Sequence, residues 1–148
     1  MKSKAPLLLM EQMIMLLVFA LAAALCLQAF VQSDARSRRI QERDQAVNLV
    51  QNVAETARGR GGGTESALTG AAEELGYHYE QGLLWQDFDA DWNPAPDGGG
   101  VYHLDARGVS TDVPGLNVLR VGVYTSSSGG LESLFEIETA WQMEGGNG

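Results

Sequence analysis

Apolar side chains fill the chain from Leu7 to Val31, interrupted only by Glu11, Gln12 and Gln28. Between Met13 and Leu27 the single side chain with any polarity is the Cys26 thiol. At about 1.5 Å per residue this stretch is long enough to cross a hydrocarbon layer about 30 Å thick, and it predicts a spanning helix over 7–31. A cleaved secretory signal is the competing reading, since Lys2 and Lys4 precede the run and Ala22, Ala23 and Ala24 offer small residues. The apolar part of such a signal is about 7 to 15 residues long, whereas here it continues past the alanines without a turn, so the segment is expected to be retained.

Beyond Val31 the pattern becomes amphipathic. Ala46, Val47, Val50, Val53, Ala54 and Ala57 recur at spacings of three and four, with Arg43, Asp44, Gln51, Asn52, Glu55 and Arg58 between them. No glycine or proline occurs over the 51 residues from Leu7 to Ala57, which predicts one continuous helix roughly 75 Å long, its amphipathic part covering 32–58. The glycine-rich run beginning at Gly59 supplies the stop. A globular head is then expected over 59–148. Thr64 to Leu75 reads as a short helix capped by Thr64 and ended by Gly76. Strands are expected at Tyr77–Glu80 and Leu83–Trp85, joined by a Gln81-Gly82 turn, then at Val101–Asp105, Gly115–Tyr124 and Leu134–Met143. The last should place Phe135, Ile137, Thr139, Trp141 and Met143 on one face, with Ser126, Ser127, Ser128, Gly129 and Gly130 turning into it. The fold class is α+β: a long N-terminal helix packed against a small antiparallel sheet, which buries both apolar faces.

Charge narrows the function. The net charge is −9, and from Gly61 onward fourteen Asp and Glu face only Arg107 and Arg120, a half that repels phosphate and argues against nucleic-acid binding. With one cysteine, inside the apolar run, the chain has no framework for an internal disulfide or a zinc site.

Candidate chemistry is sparse. Asp87, Asp89, Asp91 and Asn93 place oxygens at alternate positions as a calcium loop does, but Trp92 stands where that loop needs glycine and Gly98 where it needs a closing glutamate. The favoured reading turns Phe88 and Trp92 inward and leaves the carboxylates solvated, with no metal held. His78 and His103 each lie beside a tyrosine in a predicted strand and suit packing better than catalysis. The serines at 126–128 lack a nucleophile-elbow pattern, and the glycine runs at 59–63 and 98–100 lack the lysine of a phosphate loop. A non-catalytic protein without a cofactor is expected. Two features of the apolar helix remain. Glu11 is costly in a membrane unless it is paired or reaches the headgroups, and Ala20 and Ala24 form a small-xxx-small pair that lets helices approach closely.

Lys2 and Lys4 as a basic leader over 1–6, an apolar helix with one glutamate near its start (Leu7 to Leu17), an amphipathic continuation and a C-terminal antiparallel sheet together resemble type IV prepilins and the pseudopilins of secretion and DNA-uptake systems. The resemblance implies a structural subunit whose leader is removed by a prepilin peptidase, whose new terminus is methylated, and which is extracted by an assembly platform into a filament of pilin-like subunits. It gives Glu11 the assembly role of pairing with a neighbouring subunit's terminal amine. A cut after Pro6 makes Leu7 the first residue and Glu11 the fifth; a cut after Ala5 makes Glu11 the sixth. The family cuts after glycine, where this chain has Pro6, and the family's helix-kinking proline is absent.

The resemblance also implies a single-pass protein of the cell membrane with its head outside the cytoplasm, or on a surface filament. Arg36, Arg38, Arg39 and Arg43 after the span outnumber Lys2 and Lys4 before it, which by the positive-inside rule points the other way. Asp34, Glu42 and Asp44 are interleaved with those arginines and offer them partners on the helix. The competing function is a membrane-anchored accessory module that never polymerises.

Overall fold

The computed structural model describes residues 5–127 and 129–142; Lys2, Lys4, Ser128 and Met143, used above, lie outside them. The chain divides into two compact units, residues 1–41 and 42–148, and the boundary falls within the first helix.

That helix, α1, runs from Ala5 to Arg60. In the first unit every described side chain from Pro6 to Gln41 is exposed, including Leu7 to Val31, and the helix is long and apolar enough to cross a membrane. α1 ends two residues beyond the expected stop. Gly59 stays helical, and the chain turns instead at Gly61 and Gly62, whose φ values of 62° and 75° lie in the left-handed region that favours glycine.

The second unit takes in the last part of α1. There Ala46, Val50, Val53, Ala54 and Ala57 are buried and form one cluster with the rest of the core, while Val47 is only half-buried and Leu49 joins the packing instead. α2 (Thr64–Leu75) adds Ala67, Leu68, Ala71 and Ala72. Its first turn corrects one expectation: Gly63 is the N-cap and makes no side-chain cap, and Thr64 is already helical, donating its hydroxyl to Asn117 Oδ1 (3.1 Å). Gly76, in the left-handed region, closes the helix through its N–H to the Ala72 carbonyl.

Six strands follow: β1 (His78–Glu80), β2 (Leu83–Phe88), β3 (Pro94–Ala95), β4 (Tyr102–Val109), β5 (Leu116–Ser127) and β6 (Gly130–Gln142). They form one open antiparallel sheet in the order β1-β2-β4-β5-β6, with β3 also on β2, so the fold is α+β. The β1–β2 turn uses Gln81 and Gly82, both at positive φ, as tight hairpins require. β4, β5 and β6 are longer than the alternation predicts. β5 continues through Ser127 and β6 starts at Gly130, so Ser126 and Ser127 are strand residues. A register shift between Val123 and Tyr124 leaves Leu134 as the extra residue of β6.

One face of the sheet lies on the helices, with Leu84, Phe88, Tyr102, Leu104, Ala106, Leu119, Val121 and Val123 buried. Phe135, Ile137, Thr139 and Trp141 extend that face along β6, half-buried and alternating with exposed neighbours as expected. The other face is polar and aromatic. Registers place Trp85 beside Asp105, Asp87 beside His103, and Arg107 beside Arg120, which in turn faces Glu138.

Candidate functional site

Two places carry the candidate residues, one in each unit. In the first, Pro6 occupies the opening turn of α1, where a missing N–H costs no helical hydrogen bond. Leu7 lies one helical turn before Glu11. The Glu11 side chain is exposed among Leu7, Leu8, Met10, Ile14 and Met15, and has no partner among the described residues. No other charged side chain occurs between Pro6 and Ser33. Ala20 and Ala24 share one exposed face at the i, i+4 spacing that admits a second helix closely. Cys26 is exposed and free. Farther along α1 the Arg38 guanidinium pairs with Asp34 at 3.2 Å; Arg36, Arg39 and Arg43 have no ion pair among the described residues.

In the second unit the three aspartates of the calcium-like spacing have separate fates. Asp87 sits at the end of β2 with 6% of its surface exposed, which overturns the expectation that it is solvated. Its Oδ1 meets His103 Nδ1 at 2.5 Å and its Oδ2 accepts the Gly98 N–H at 2.8 Å, so the 94–101 segment folds over it. Asp89 Oδ1 accepts the backbone N–H groups of Asp91 and Asn93, both at 2.9 Å; the bonds from Asn93 foremost, with that from Asp91, hold its carboxyl below the usual range. Asp91 is exposed. Among the described residues no three His, Cys, Asp or Glu side chains are grouped to hold a metal ion. Trp92 nonetheless takes the glycine-like conformation of that position, with φ at 64°. Stacking on Tyr102, with ring centres 3.9 Å apart and planes 7° from parallel, holds it there, and Phe88 packs alongside as expected.

The polar face of the sheet holds a network that local pattern does not reveal. His78 stacks on Trp85 at 4.4 Å, and Trp85 on His103 at 6.4 Å. Arg120 is shared between Glu138 (2.6 Å) and Glu136 (3.7 Å), and the Tyr124 hydroxyl donates to Glu136 at 2.8 Å. Tyr124 lies over Gly122, where a Cβ would come within 2.6 Å of its hydroxyl. Burial raises the Asp105 carboxyl above its ordinary value, against the pull of Arg107 and His103, and burial with the Glu136 bond raises the Tyr124 phenol. The alternation of His103, Asp105 and Arg107 in β4, and of Glu136, Glu138 and Gln142 in β6, marks this face in the sequence. His78 is exposed and His103 half-buried, and His103 has no side-chain hydrogen bond besides that to Asp87 among the described residues. Comparison of the chain with protein-family models, with curated proteins and with solved structures returns no match.

Proposed function

We propose that this chain is a pilin-like structural subunit of a type IV pilus, pseudopilus or related secretion or DNA-uptake filament, anchored in the membrane and assembled through α1. Its partners in that reading are the membrane, other pilin-like subunits, an assembly platform and a prepilin peptidase. It needs no cofactor and has no catalytic role. The head works outside the cytoplasm, on the membrane or on a surface filament.

One observation carries the reading: a single unbroken helix from Ala5 to Arg60 whose Leu7–Val31 part is apolar on every side around one charged residue, Glu11, and whose Ala46–Ala57 part supplies a buried stripe to an α+β unit. A carboxylate in an apolar helix is stable only with a cationic partner or at the headgroups, and Glu11 has no such partner within the described residues. A neighbouring subunit's terminal amine would satisfy it, and the Ala20–Ala24 face would let the two helices close. The accessory-module reading has one observation in its favour, Pro6 in place of the glycine at which the family is cut.

The test is assembly in the native host. Glu11→Ala is expected to reduce the protein recovered in the sheared surface or pseudopilus fraction at least about tenfold, the cost of losing a desolvated charge pair, while its membrane level and the melting of the second unit stay as in wild type. Unchanged recovery would favour the anchored module.

A further inference from the structure

β6 forms one lateral edge of the sheet and is thirteen residues long, whereas the opposite side of β2 carries only the short strands β1 and β3. From Phe135 to Thr139, beyond the Leu134 bulge, β6 is regular. Among the described residues no strand lies on its outer side, and no backbone hydrogen bond reaches 135–139 from outside the β5 ladder. An edge of this kind presents free N–H and C=O groups to any extended chain, and proteins that keep such an edge unused commonly block it with lysine or proline. β6 contains neither, nor any arginine.

The two sides of this edge differ. Toward the helices, Phe135 and Ile137 are half-buried on the core, and an open groove of about 350 Å³ lies between Ile137 and Thr139 and the α1 residues Ala54, Glu55 and Arg58. Toward the polar face, Glu136 and Glu138 share the one guanidinium of Arg120. From Gly61 onward the chain holds fourteen acidic residues against two arginines, and Arg58 of α1 also lines the groove beside Glu138. A second copy of this edge fits poorly, because Glu136 and Glu138 would meet their own copies with no basic residue on either strand.

We propose that the Phe135–Thr139 edge of β6 accepts, as an added strand, an extended segment of a partner protein in which lysine or arginine alternates with apolar residues. Backbone pairing supplies the affinity. The apolar side chains continue the Phe135–Ile137 row over the groove, and the basic ones lie beside Glu136 and Glu138. The inference holds whether or not the chain polymerises, since it uses no residue of the first unit.

The experiment uses the full chain in uncharged detergent and a dye-labelled peptide alternating lysine and valine, about nine residues long to cover the edge. Two further peptides carry backbone N-methyl groups, one on every valine and one on every lysine. Only one of these sets faces β6. The parent peptide is expected to bind, more weakly as salt rises, and to slow amide exchange in 135–139. One methylated peptide should bind like the parent and the other at least about tenfold more weakly, because several backbone bonds are lost. Equal binding by all three peptides would reduce the contact to charge attraction and overturn the proposal. Failure of the parent to bind, or protection at β1 instead of β6, would overturn it as well.

Discussion

Asp87 is buried because two distant groups reach it, Gly98 from eleven residues away and His103 from sixteen. Gly100 lets the covering segment close. A Cβ there would stand 2.8 Å from the Asp87 Cβ and 3.0 Å from both the N and O of Phe88, a residue fixed by pairing with Tyr102. Gly100→Ala is therefore expected to destabilise the second unit by about 1–3 kcal/mol, measured as a lower urea midpoint for the head signal. Asp105 makes a prediction of opposite sign. Burial raises its carboxyl in the folded state, so the folded protein holds that proton at a higher pH than the unfolded chain does. Its ionisation costs stability as pH rises from the ordinary aspartate range through the raised value, and the cost is complete above it. Asp105→Asn should melt above wild type at pH 7, with the difference closing as pH falls below the ordinary range. A lower melting temperature at pH 7 would contradict this. Residue chemistry was the least legible level. The alternate carboxylates from Asp87 to Asp91 stand out in the sequence, but the groups that bury Asp87 and shape Asp89 come from long-range closure and backbone geometry, neither of which has a local pattern.

At the scale of elements, legibility followed periodicity. The buried stripe from Ala46 to Ala57 and the Phe135–Trp141 alternation were readable because each repeats with the period of its own backbone. Strand ends were not. β4 runs to Val109 although Ala106, Arg107 and Gly108 break the apolar alternation, because pairing of Gly108 with Leu119 and Val109 with Val118 continues the ladder whatever the side chains are. Leu104, fully buried in β4, belongs to the same cluster as the buried residues of both helices. Leu104→Ala is expected to cost about 2–5 kcal/mol, seen as an earlier cooperative unfolding transition of the second unit. A change below about 0.5 kcal/mol would mean that the sheet and helices do not share one core. The Thr64 cap failed for a reason visible only in three dimensions: its hydroxyl is drawn to Asn117 across the unit, and Gly63 takes the cap position without a side chain to fill it.

For the whole molecule, the sequence foretold an α+β unit and a helix apolar and long enough to cross a membrane, and both are present. Function was less legible, because Glu11 is exposed among apolar side chains and nothing among the described residues pairs with it. On the proposed reading Glu11→Ala should lower recovery in the sheared surface or pseudopilus fraction at least about tenfold and leave the melting of residues 42–148 unchanged. The decisive measurement is the intact mass and N-terminal peptide of the protein recovered from its native membrane or sheared surface fraction. A chain beginning at Leu7 or Pro6, with an added methyl group on that terminus, is the result expected of a pilin-like subunit. A chain still beginning at Met1 or Lys2 would contradict pilin maturation and leave a membrane-anchored module in its place.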